Sequence, residues 1–99
     1  MKEKNRILIF GREQKTLDRL TRILESVGYL VTGTLNDGVA IDLAGSSDYD
    51  ALLIGDGVPQ SDRRYVATEA RNRKPSMSVI IVHGPESVLT QVRQAGIQI

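Results

Sequence analysis

The sequence predicts an α/β fold, a doubly wound parallel sheet with helices on both faces. Three observations predict it. Short continuous apolar runs recur: Ile7-Leu8-Ile9-Phe10, Ala51-Leu52-Leu53-Ile54 and Val79-Ile80-Ile81-Val82. Runs without polar alternation mark strands buried on both faces. Between them, apolar residues return at spacings of three and four, the period of an amphipathic helix. Strand and helix alternate strictly, which implies right-handed crossovers between parallel strands.

Each element follows from its residues. Ile7–Phe10 is the first strand. Leu17, Leu20, Ile23, Leu24 and Val27 form the apolar stripe of the first helix, and Gly28 stops it. Tyr29–Thr32 is the second strand. Asn36 or Asp37 caps a second helix that buries Val39, Ala40, Leu43 and Ala44. Gly45 to Asp48 is turn chemistry. Ala51–Ile54 is the third strand, and Asp56-Gly57-Val58-Pro59 a loop. A third helix spans about Ser61 to Asn72, with Val66, Ala67 and Ala70 as its apolar residues. After the strand Val79–Val82, Pro85 suits a helix's first turn and Glu86 suits its positive N-terminal dipole. That fourth helix buries Val88, Leu89, Val92 and Ala95. Gly96 ends it, and Ile97-Gln98-Ile99 is expected as a short fifth strand.

Composition bounds the function. Ninety-nine residues make one domain, 1–99, able to bury roughly 60–70% of its unfolded surface. The chain is 40% hydrophobic and 25% charged, as in ordinary globular proteins. A net charge of +1 supplies no global field toward nucleic acid or anionic membrane. The chain has no cysteine, hence no disulfide, thiolate metal site or thiol nucleophile. The charged start, Met1 to Arg6, leads into an apolar run too short for a signal peptide or membrane span. A cytoplasmic protein is expected.

In open parallel sheets, ligands gather at the carboxyl ends of the strands. The residues there are Gly11, Arg12, Glu13, Gly55, Asp56, His83 and Gly84. Gly55-Asp56-Gly57 lacks the spacing of a dinucleotide or Walker fingerprint. His83 is the only histidine, and no carboxylate pair matches it by spacing, so a satisfied strand-end histidine is expected and no metal site. Arg63, Arg64, Arg71, Arg73 and Lys74 cluster around the third helix. A solvated helix face explains them best. Interspersed acids and a net charge near zero argue against nucleic acid. An acidic protein partner is the better minority reading.

The order of these features resembles the response-regulator receiver family (CheY-like). Arg6–Phe10 opens like a receiver, and Leu24-Glu25-Ser26-Val27-Gly28-Tyr29-Leu30-Val31 is similar to the family's helix-Gly-Tyr-strand junction. Asp48-Tyr49-Asp50-Ala51-Leu52-Leu53-Ile54 resembles its entry to the third strand. Pro59 and Asp62 fall where the family has Met-Pro and a following Asp-Gly. Val79–Val82 resembles its fourth strand, and Ala95-Gly96 the turn before its fifth. The resemblance implies a flavodoxin-like sheet of about five strands. The chain ends before the family's usual fifth helix, which lies beside the first.

The resemblance also implies where chemistry would sit. Active receivers bind magnesium with two acids after the first strand and an aspartate ending the third, and that aspartate takes the phosphoryl group. Hard oxygen ligands around a small cation are what such transfer needs. Here the acid pair maps to Gly11 and Arg12, the nucleophile to Gly55 and the phosphoryl-sensing Ser/Thr to His83. The family's Lys-Pro would fall after Ile99. The resemblance therefore implies a degenerate, non-phosphorylatable receiver with no cofactor and no catalytic residue.

Asp56 and Glu13 are the residual acids. Asp56 is one residue beyond the nucleophile position, a shift that normally turns a side chain to the opposite face. Arg12 either replaces the metal by pairing with Asp56 or Glu13, or points into solvent. The expected function is a protein-interaction module of bacterial signalling. Its partner would be a sensor kinase, an output domain or a second copy, with no nucleic acid or membrane. A missing fifth helix would leave apolar surface open beside the first helix and favour a homodimer. A fragment of a longer protein is the other explanation of the short end. The alternatives are an atypical phosphoacceptor using Asp56, and a small-anion sensor gripping its ligand with Arg12 and the amides of Gly55 to Gly57 and Gly84.

Overall fold

The structure, a computed structural model, describes residues 5–97. Its elements are β1 (Arg6–Phe10), α1 (Gln14–Ser26), β2 (Leu30–Thr34), α2 (Asp37–Ser46), β3 (Ala51–Ile54), α3 (Gln60–Arg73) and β4 (Ser78–Ile81), then a 3₁₀ turn (Pro85–Ser87) leading into α4 (Val88–Gln94). Among the described residues the sheet has four parallel strands in the order β2-β1-β3-β4. This is the flavodoxin-like arrangement expected from the sequence.

The strands divide the core in two. Leu8, Phe10, Leu52 and Ile54 face α2 and α3, with Ala40, Ile41, Ala44, Val66, Ala67 and Ala70 packed on them. Ile7, Ile9, Ala51 and Leu53 face α1 and α4, under Leu17, Leu20, Leu24, Val88 and Val92. Every residue from Ile7 to Phe10 and from Ala51 to Ile54 is fully buried, which is why neither strand alternates in polarity. α1 comes so close to β2 that a Cβ on Gly33 would lie 2.7 Å from Leu17 Cδ1.

Some expected burials moved. Val39 is 44% exposed, and Ile41 takes its place in the core, because α2 presents Ala40, Ile41 and Ala44 to the sheet. Val27 and Ala95 sit at helix C-caps and are exposed. Leu43 and Leu89 are only partly buried. β2 begins at Leu30, since Tyr29 belongs to the turn that ends α1. Asn36, not Asp37, is the N-cap of α2, its Oδ1 accepting from the Val39 amide at 3.0 Å.

Both helices on the α1 face end in the same way. Gly28 (φ 104°) and Gly96 (φ 82°) adopt the left-handed conformation. The following amides, Tyr29 and Ile97, reach back to Leu24 O and Val92 O. These are Schellman closures, in which glycine avoids the Cβ penalty. The two buried residues that follow then meet, as the Tyr29 hydroxyl donates to Ile97 O.

The chain after β4 departs from expectation. Right-handed crossovers put α1 on one face and α2 and α3 on the other, because β1→β2 runs opposite in direction to β2→β3→β4. A further outward strand would need its helix on the α2–α3 face. α4 lies instead on the α1 face. It covers the surface that the sequence suggested would stay open. The expected fifth strand is not seen at Ile97, which packs by Tyr29, and 98 and 99 lie outside the described residues.

β4 is thus a sheet edge among the described residues. Its outer rim is partly closed by a side chain. Gln91 Nε2 donates to Ile81 O (2.7 Å), and its Oε1 accepts from the His83 amide (2.9 Å). The carboxamide copies one peptide group of a parallel neighbour strand. We expect Gln91→Ala to cost about 1–3 kcal/mol for the two bonds. Hydrogen exchange should quicken at His83 while the β3 amides stay protected. Unchanged exchange at His83 would contradict the clamp.

Candidate functional site

The register Phe10↔Ile54 brings the ends of β1 and β3 together. The Gly55 amide donates to Phe10 O (2.9 Å), and the Gly11 amide donates to Thr34 O (3.1 Å). Gly11 and Gly55 are both buried. A Cβ on Gly55 would lie 3.8 Å from Gly11 Cα and 3.7 Å from Phe10 O, ordinary contacts, and one on Gly11 would meet nothing within 4 Å. Neither residue has a positive φ. The backbone here would accept a Cβ at either position, so neither local crowding at Cβ nor backbone conformation demands the two glycines.

Arg12 is the dominant charge beside them. Its Nη2 donates to Asp62 Oδ2 at 2.6 Å, and its Nη1 to Leu35 O at 3.4 Å. Its guanidinium carbon lies 5.2 Å from the centroid of the Phe10 ring. The side chain therefore spans the carboxyl end of the sheet, from the β1–α1 loop to the first turn of α3. Neither alternative read from the sequence is seen: Arg12 pairs with neither Glu13 nor Asp56, and it is not left to solvent. Asp62 takes their place because α3 starts at Gln60, soon after the β3 loop, and its first turn faces Arg12. The ion pair is about a third exposed on each side, 34% and 37%. A bond of this exposure contributes modestly to stability.

The remaining candidates are scattered around this bridge. Glu13 is the N-cap residue of α1, exposed, with Oε1 3.7 Å from where a Gly57 Cβ would be. Asp56 is exposed in the loop after β3 and makes no ion pair with a described residue. His83 is exposed, and its recorded bond is the backbone one to Gln91. Gly84 is buried at φ 145°, with Glu86 Oε1 2.9 Å from its absent Cβ, so a side chain there would be strained. Among the described residues, no group of three or more His, Cys, Asp or Glu could hold a metal ion. No helix among them is long and apolar enough to cross a membrane.

The fold thus brings Gly11, Arg12, Gly55 and Asp62 into one small constellation, with Glu13 and Asp56 at its rim. It does not bring His83 into it by any hydrogen bond. Sequence reasoning missed Asp62 as the partner of Arg12. The available signal was its position just after Pro59, at the start of a helix leaving the same end of the sheet.

No protein-family model matches the chain, and no curated protein matches it. Solved structures do. A response regulator receiver domain protein (CheY-like) from Methanospirillum hungatei JF-1 superposes with a TM-score of 0.69 at 22% identity, over 95% of this chain and 77% of that one. A pilus assembly-related protein from Burkholderia pseudomallei K96243 superposes with a TM-score of 0.64 at 18% identity, over 96% and 75%. At these identities the likeness is one of fold, and the chain has the α/β, flavodoxin-like fold of a receiver domain.

Proposed function

We propose that this chain is a receiver-fold interaction module of signal transduction that works without phosphorylation. The observation that carries the proposal is the Arg12–Asp62 bridge beside two glycines at the ends of β1 and β3. Magnesium needs several hard oxygen ligands in near-octahedral array. Here a guanidinium stands by the same place, and like charge disfavours a cation there. Gly55 offers no carboxylate to attack a phosphoryl group. The site would then hold one state, and regulation would come through what the module binds: a sensor kinase, an output domain or a second copy. Self-association through the face beside α1 has weaker support than the sequence suggested, since α4 covers it.

Incubation with magnesium and acetyl phosphate, followed by intact mass measurement, tests the proposal. No phosphoryl adduct is expected. An adduct mapped to Asp56 would overturn it in favour of the atypical phosphoacceptor. A double-mutant cycle on Arg12→Ala and Asp62→Ala tests the bridge itself. The expected coupling is about 0.2–1 kcal/mol, falling as salt is raised. Zero coupling at low salt would contradict a bridge that holds the site.

A further inference from the structure

We infer that the edge of β4 left unpaired by the described residues, with the arginine-lined groove beside it on α3, receives an extended acidic segment of a partner protein as an added strand. This rests on the reading of the chain as an interaction module and names its binding edge and the chemistry of its partner. Three independent features meet there.

The first is an unused backbone ladder. The Ser78 and Val82 amides donate to Asp50 O and Ile54 O, so the even-numbered residues of β4 face β3. Alternation turns the amide and carbonyl of Val79 and the amide of Ile81 outward. No described residue is recorded as their partner. Gln91 already occupies the next outward pair, Ile81 O and the His83 amide, which shows the rim engaging a peptide-like group. Paired edges are the usual solution, and exposed ones accept strands from other chains.

The second is apolar surface. Ser78 to Ile81 are all only half-buried, unlike the fully buried β3 beside them. Val79 and Ile81 lean toward the α3 face, where no further helix flanks α3 among the described residues.

The third is charge. The groove beside Ile81 is bordered by Gln60, Arg63, Arg64, Ala67 and Arg71. Arg63, Arg64 and Arg71 make no ion pair with a described residue, whereas Arg73 and Lys74 are paired to Asp42 and Asp48. A strand laid along β4 would send alternate side chains toward these arginines. Carboxylates at those positions would meet three uncommitted guanidinium groups, a bidentate match. The unpaired amides and carbonyl suit a peptide backbone better than a phosphate chain, which favours protein over nucleic acid.

The test uses the isotope-labelled full chain and a short blocked peptide of alternating aspartate and valine, read by amide resonances. Shifts are expected at Val79, Ile81 and Arg63 to Arg71. They should diminish with added salt and disappear in the Arg63→Glu, Arg64→Glu, Arg71→Glu variant, whose unchanged resonances in β1 and β3 show that it folds. The peptide with lysine for aspartate should leave these amides unmoved. No shift at β4, an equal response to the lysine peptide, or a stronger response to a single-stranded oligonucleotide would overturn the inference. Concentration-dependent shifts at β4 without peptide would assign the edge to a second copy instead, and also overturn it. Absence of phosphorylation is scored separately by mass, so either proposal can fail alone.

Discussion

The pairing of β1 with β3 is the constraint on which the rest of this structure depends. β1 lies between β2 and β3, and every residue from Ile7 to Phe10 is buried by helices on both sides. Side chains alternate between faces along a strand, so one register, Ile7↔Ala51 to Phe10↔Ile54, assigns each core residue to its layer. A slip by one residue would exchange the two halves of the core. The same register places Gly11 against Gly55 and sets Arg12 at the mouth between them. Core packing and the character of the site are consequences of one ladder.

That site lies at the strand ends of a receiver-like fold. Its backbone leaves room for a Cβ at 11 and 55, and the sequence places glycine at both. Arg12 instead joins Asp62, Leu35 O and the face of Phe10. The ion pair ties the β1–α1 loop to the first turn of α3. The edge of β4 is where backbone groups, aliphatic side chains and arginines without an ion pair to a described residue come together.

Much of the fold was legible in the sequence, because its signals are local. Continuous apolar runs marked β1, β3 and β4; the three-and-four spacing marked α1; Gly28 and Gly96 marked helix ends, where both adopt positive φ. Even α3, weak in apolar residues, buries the expected Val66, Ala67 and Ala70. What escaped was relational. Val39 and Ile41 differ in burial because of how α2 is rotated on the sheet, and α2 is too apolar all round for its pattern to reveal that rotation. The face chosen by α4 depends on where the chain turns after Gly84, which no spacing encodes. The glycines and Arg12 were placed together at the strand ends by strand order and the receiver resemblance, and the structure does bring them together there. Asp62 was not assigned to Arg12, because the pair spans 50 residues and only the crossing of α3 over the sheet end joins them.

In the function proposed above, a receiver-like fold carries no magnesium ligands at the ends of β1 and β3. A magnesium titration of the native chain beside its Gly11→Asp, Arg12→Asp, Gly55→Asp variant, followed by amide resonances, tests it most directly. Amides around 11–13 and 55–57 should respond in the variant and stay unmoved in the native chain at the same magnesium concentration. A native response at those amides would contradict the loss of the metal site. A folded variant that ignores magnesium would contradict the retained geometry.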